Sequence, residues 1–457
     1  MHPQHLILAL TTIITVAVGL IGTPNNSRAQ PMTIQTPQAT ATIPPTREAK
    51  LYYEGSAPQP VLRVGGTILS VDLAAHPIDN WPAVGIIHYP IPGRDPRRAF
   101  VAAFDQQRGT WNDSWQIDYH TSLGSDPFAS LQLAISGDDT ITALYGPDDA
   151  PWQPGQTPPA NAWSIWARSS TDQGQKWSSP QRIASGCWSV LSSAATPGGW
   201  VVGLLACGRE REAWQPTLVI RQPNGYWRSA YTLPTGEMLL LQGAVALSGD
   251  GDQARAVLAL YSMAQPTQLT IATIQLSSGT TTFSTHPLGS LASNSHMHRN
   301  FRALSYARLP TQQPAISISW IAQDEQAGAV YALTSLDGGR SWGGVEQIAS
   351  APATIVDAAL SYDPVPDTLI AMWPCCGDTT FQSLPASHYS AWSTPGSGRW
   401  STAEPLVSSA RIAGHSDTSH GLNARTTWLA WVEQQQTLMV RSYGLNQIGQ
   451  IGQIARP

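Results

Sequence analysis

Two stretches decide the reading: Ser170-Thr171-Asp172-Gln173-Gly174-Gln175-Lys176-Trp177 and Ser335-Leu336-Asp337-Gly338-Gly339-Arg340-Ser341-Trp342. Both follow the pattern Ser-x-Asp-x-Gly-x-x-Trp. An Asp placed so can accept backbone N–H bonds across a tight turn, Gly permits the backbone angles the turn needs, and Trp fills space between sheets. A worn copy, Ser393 to Trp400, keeps the Ser-to-Trp distance but has Pro395 and Ser397 in place of Asp and Gly. Looser turn-plus-aromatic copies end at Trp111, Trp227 and Phe283. The aromatic positions recur about every 58 residues, the scale of one propeller blade.

Strand patterns repeat at the same spacing. First strands begin near Thr67, Ser130, Ser189, Leu241, Phe301, Val356 and Thr418, and each is followed by a second, largely apolar run and then a third. Alternation such as Ile316-Ser317-Ile318-Ser319-Trp320 marks strands at period two. The count is seven units rather than six. The seventh has no fourth strand of its own, and Pro60-Val61-Leu62-Arg63-Val64, ahead of the first unit, resembles the fourth strands elsewhere. The sequence therefore predicts an all-β, seven-bladed β-propeller closed by an N-terminal strand, which removes free sheet edges.

Composition agrees. The chain of 457 residues is 42% apolar, only 12% charged, and carries 38 Gly, 36 Pro and 18 Trp. Turn formers and Trp without long charged stretches fit many short strands. A net charge of −5 with no basic block excludes a strongly electrostatic nucleic-acid binder.

The N-terminus reads as an export signal over residues 1–29. Leu6 to Ile21 is uncharged and short for a membrane span, and Ser27-Arg28-Ala29 supplies small residues ahead of a cleavage point. Residues 30–50, rich in Thr, Pro and Gln, read as a linker, and 51–457 as the propeller domain. Export predicts a secreted or cell-surface protein, with membrane attachment only if the N-terminal segment stays uncleaved. Four cysteines in an exported chain allow three pairings. Apolar stretches on either side of Thr196-Pro197-Gly198-Gly199 form a hairpin that, reflected about Pro197, sets Cys187 opposite Cys207. Cys375-Cys376 is a vicinal pair, and no CxxC spacing points to metal or redox chemistry.

The Ser-x-Asp-x-Gly-x-x-Trp stretches resemble the Asp-box, or bacterial neuraminidase repeat, of sialidase-superfamily β-propellers. That resemblance covers essentially the whole chain after the linker. It implies structural roles for Ser170, Asp172, Gly174, Trp177, Ser335, Asp337, Gly339 and Trp342, on turns between third and fourth strands. It also implies what a catalytic sialidase would carry: three Arg side chains for the substrate carboxylate, a Tyr nucleophile with Glu, an Asp acid/base, and an Arg-Ile-Pro motif in the first blade. The first blade, Thr67-Ile68-Leu69-Ser70-Val71-Asp72, has no such Arg. Arg308-Leu309-Pro310 falls in the fifth unit, on the box-bearing face.

Ligand sites in propellers form where the loops from strand four to one, and from two to three, converge. Sorting residues this way gathers His296, His298 and Arg299 before unit five, His415 and Asp417 before unit seven, and Arg209 and Arg211 in the 2–3 loop of unit three. Trp152 and Trp188 fall on the same face, where a sugar ring could stack. Arg suits a carboxylate or sugar hydroxyl because its fork is planar and permanently charged. No metal ligand set and no cofactor motif is predicted. The expected function is recognition of a glycan or extracellular protein without hydrolysis. An exo-α-sialidase-like hydrolase with a divergent site, or a cell-surface scaffold, are the alternatives.

Overall fold

The computed structural model describes residues 51–447 apart from 91–96, 118–129, 147–162, 209–212, 289–296, 309–313, 376–386, 408–411, 420–425 and a few positions in shorter loops. The readings of residues 1–50 as signal and linker lie outside the described residues.

The fold is all-β, with a single short 3-10 turn at Gly251–Gln253 among the described residues. Seven antiparallel sheets follow one another along the chain, each ordered from first to fourth strand. First strands run Thr67–Ala75, Ser130–Ile135, Cys187–Ala195, Gln242–Ser248, Met297–Tyr306, Ala359–Asp363 and Ile412–Ser419. Each lies against the first strand of the next blade, and that of blade 7 returns to blade 1. This is a closed seven-bladed propeller. The outer edge of blade 7 is supplied from the other end of the chain: Gln59–Arg63 and Leu51–Gly55 both pair antiparallel with Thr437–Gln447.

Second strands such as Val201–Cys207 are buried at every position, because neighbouring sheets cover both faces. That is why they read as continuous apolar runs rather than as alternation. The core is divided among the gaps between successive blades. Trp111, Trp177, Trp227, Trp342 and Trp400 each pack into the gap shared with the preceding blade. Phe283 does not. It lies within the fourth strand of blade 4, Thr281–Pro287, and is 44% exposed, so it is no copy of the box aromatic.

The boxes are turn clamps. Gly174 and Gly339 donate N–H bonds to the hydroxyls of Ser170 (2.9 Å) and Ser335 (2.8 Å). Asp172 accepts from Lys176 N–H at 2.8 Å, and Asp337 accepts from Arg340 and Ser341 N–H at 3.0 and 2.9 Å. In the worn copy Ser397 stands 3.0 Å from the Ser393 hydroxyl, and Trp400 Nε1 donates across the blade gap to Glu346 at 2.8 Å.

Four of the first strands are bulged where they pair with the second. In blade 3 the hairpin is reflected about Gly198 near its turn, not Pro197, and two bulges advance the register until Cys187 faces Cys207. Those two cysteines are joined, S–S 2.07 Å. The side chains of Cys375 and Cys376 lie outside the described residues.

Candidate functional site in the central channel

Neighbouring first strands are too widely splayed at the axis to pair as a sheet, so their backbone donors need other partners. Side chains one blade away supply them. Asp72 Oδ2 accepts from Leu133 N–H at 2.6 Å, and Ser130 Oγ accepts from Val190 N–H at 2.7 Å. Ser192 Oγ accepts from Val245 N–H at 3.2 Å, and Gln242 Oε1 accepts from Asn300 N–H at 3.1 Å. Arg299 Nη2 donates to the Ile355 carbonyl at 3.3 Å, and Arg302 Nη2 donates to Asp357 Oδ2 at 3.0 Å. The wall of the channel is thus a relay of polar side chains from blade 1 to blade 6.

Inside this wall lies a cavity of about 310 Å³ lined by first strands of blades 1 to 6, including Asp72, Gln132, Ser193 and Arg302. It extends to the 1–2 turns at Pro77, Pro197 and Pro314, the box-bearing end. Arg302 donates to Asp357, which also accepts from Ala358 N–H at 2.8 Å; Arg299, in the same strand but outside the cavity lining, lies in the field of the same carboxylate. Burial pulls the Arg299 guanidinium below its usual value, and Asp357 opposes that shift. Its buried Nε–H has no acceptor among the described residues. A buried N–H of this kind is costly and suits a polar ligand.

Four of the residues proposed from sequence lie on strands rather than loops. His298 and Arg299 belong to the strand Met297–Tyr306, and His415 and Asp417 to Ile412–Ser419. A bulge between Arg299 and Arg302, with Asn300 at φ 53°, breaks the alternation and disguises the strand's start. His298 is 1% exposed and lies edge-on to Tyr261 at 5.5 Å, packed against the preceding blade. Trp188 is buried beneath Trp163, ring centroids 3.7 Å apart, and donates Nε1–H to the Gly208 carbonyl; it cannot stack on a sugar. His296, Arg209, Arg211 and Trp152 lie outside the described residues, as do the side chains of His415 and Asp417. Arg308 is committed to Asp367 through Nε (2.9 Å) and Nη2, and Asp367 also accepts from the Tyr362 hydroxyl at 2.8 Å. That pairing holds the Asp367 carboxyl below the usual carboxylate range.

Sequence reading missed Arg302 and Asp357. The available signal was a lone charge in the otherwise apolar alternation Phe301-Arg302-Ala303-Leu304. It also missed His76, Asp79 and Asp139, whose ligand atoms lie within 4.8 Å of one another on the box face. His76 Nδ1 accepts from Asp79 N–H at 2.9 Å, so in the neutral ring Nε2 carries the hydrogen and faces Asp139 at 3.5 Å. A ring used this way is a donor, not a metal ligand. The group clamps two adjacent 1–2 turns.

No protein-family model and no curated protein matches the chain. Solved structures do. An ulvan lyase, described as a new family of polysaccharide lyase and bound to GlcA(1-4)Rha3S, aligns with a TM-score of 0.52 at 10% identity, covering 85% of this chain and 96% of that one. A protein of unknown function from Dyadobacter fermentans aligns with a TM-score of 0.49 at 11% identity, covering 86% and 99%. Trypanosoma rangeli sialidase aligns with a TM-score of 0.41 at 11% identity, covering 74% of this chain and 57% of that one. At such identities the likeness is one of fold: this chain has the seven-bladed architecture in which a polysaccharide lyase is also built.

Proposed function

We propose that the chain is an exported, non-hydrolytic propeller that recognises a glycan in its central channel. The observation that carries this reading is Arg302, which lines the cavity and donates to Asp357, with Arg299 beside it in the same strand, in the field of the same carboxylate and with a buried Nε–H that has no acceptor among the described residues. A planar fork with a free donor fits a sugar hydroxyl or carboxylate. The ulvan lyase of the same fold is bound to a saccharide, and the proposal extends that ligand class to this chain. Absence of hydrolysis is supported by the state of the channel carboxylates. Among the described residues, the cavity-lining carboxylates Asp72 and Asp250 accept from Leu133 and Gly198 N–H, Asp357 in the wall is held by Arg302, and no Tyr lines the cavity. Export rests on residues 1–29 as read from sequence.

A glycan array run beside a fluorogenic sialoside assay on one preparation tests the reading. The expected result is array binding without turnover, with Arg299→Ala weakening binding about tenfold, as loss of one charged hydrogen bond does. Arg299→Lys keeps the charge but not the fork, and should recover only part. Turnover of the sialoside, or array binding unchanged in Arg299→Ala, would overturn the proposal.

A further inference from the structure

Blade 1 has a broken outer edge. Its fourth strand is split into Thr110–Trp111 and Trp115–Gln116, and Asn112-Asp113-Ser114 loops away between them. The break faces the closing strand Gln59–Arg63 at the outer edge of blade 7, and the two enclose a groove of about 560 Å³. That volume lies within the range of small-molecule sites, about 300–1,000 Å³. Blade 3 is split in the same way, into Tyr231–Thr232 and Met238–Leu239, and a smaller hollow of about 240 Å³ lies at that break beside the exposed Phe283. In this molecule a broken outer strand goes with a hollow and an aromatic ring beside it.

The blade 1 groove is held in shape from both sides. Asn112 Nδ2 donates to the Gln173 carbonyl in the box turn of blade 2 at 3.1 Å. The preceding turn is fixed by Asp105, which accepts from Gln107 and Arg108 N–H at 2.9 and 3.1 Å. Trp111 lines the groove half-buried, braced edge-on by Phe104 at 5.6 Å, and Trp115 just beyond the lining is 45% exposed. Around these rings stand Gln59, Arg63, Thr110, Asp113 and Ser114, all lining the groove. They offer donors and acceptors in mixed order, with one positive and one negative charge.

We infer that this groove is a saccharide site separate from the channel, taking a neutral sugar residue. A pyranose has an apolar face for an indole and a rim of hydroxyls that both donate and accept. Arg63 supplies donors, Asp113 accepts, and Gln59 does either. An anionic ligand would meet Asp113, and a purely apolar one would desolvate five polar side chains without replacing their water.

Saturation-transfer NMR with the methyl glycosides of glucose, galactose, mannose and rhamnose, on the full chain, tests this. At least one glycoside should receive saturation from the protein. The double variant Arg63→Ala, Asp113→Ala alters two exposed side chains and should keep the wild-type melting temperature while weakening that glycoside about tenfold or more. Arg299→Ala should leave it unchanged, which separates this groove from the channel. Saturation of none of the four glycosides, equal binding by the double variant, or loss of binding in Arg299→Ala alone would each overturn the inference.

Discussion

Asp337 shows what one carboxylate does in a turn. Partial burial pushes its carboxyl up, but bonds from Ser341, Ser335 and Arg340 outweigh that and hold it below the ordinary value. Asp337→Ala should destabilise the fold by roughly 1–3 kcal/mol in urea titration, because it strands turn N–H groups, and should leave glycan binding by the folded fraction unchanged. The same carboxyl contributes to acid sensitivity. A depressed folded pKa stabilises fully above the unfolded value of about 3.9, and that contribution is lost as pH falls through the folded value. The melting temperature should therefore drop below about pH 4, and less steeply in Asp337→Asn. Gly339 offers a sharper contrast. Its φ is +86° and an added Cβ would stand 2.8 Å from Val257 Cγ2 in the neighbouring blade, whereas Gly109, at φ +67°, has nothing within 4 Å. Both Ala variants suffer backbone strain of about 1 kcal/mol, but Gly339→Ala should melt well below Gly109→Ala. Equal melting of the two would mean that the blades slide apart at no cost.

At the scale of elements, the second strands were the most legible parts of the sequence. Ala315–Gln323 and Thr368–Cys375 stand where their apolar runs placed them, because burial on both faces leaves a composition signal that needs no register. First strands were the least legible. Bulges in blades 5 and 7 interrupt period two, so Met297–Arg299 and Ile412–Asp417 read as loop, and His298, Arg299, His415 and Asp417, assigned to a mouth, turned out to be strand. The wall relay was invisible for a related reason. Ser130 bonding Val190, or Arg302 bonding Asp357, is a contact across one whole blade, and no local pattern marks which polar residue faces the axis. The blade 3 hairpin carries the disulfide, which closes a 20-residue separation. Reduction should cost about 3 kcal/mol in the chain-entropy view, read as a lower melting temperature in the presence of a thiol reductant. Cys187→Ala with Cys207→Ala should reproduce the reduced value, since both changes remove the same cross-link.

For the whole molecule, the composition and the spacing of aromatic residues were enough to give class, blade count and closure. They could not give the blade 1 groove, which depends on a break in one strand meeting a segment from the other end of the chain. The closure makes its own prediction. Removing residues 51–63 strips blade 7 of its outer strands and leaves Thr437–Gln447 as an open edge. Such a chain should melt lower and less cooperatively than the full one, and should self-associate in size-exclusion chromatography through that edge. A truncated chain that stays monomeric with unchanged melting would show that the ring holds without its clasp. The clasp also sets an order of events in synthesis. Leu51 pairs with Gln447, so the strand Leu51–Gly55 waits for roughly 400 further residues before its partner exists. At about 5–20 residues per second that is an interval of tens of seconds. Through it, Leu51–Arg63 is an unpaired strand in search of an edge, with the free rims of earlier blades as the wrong answers.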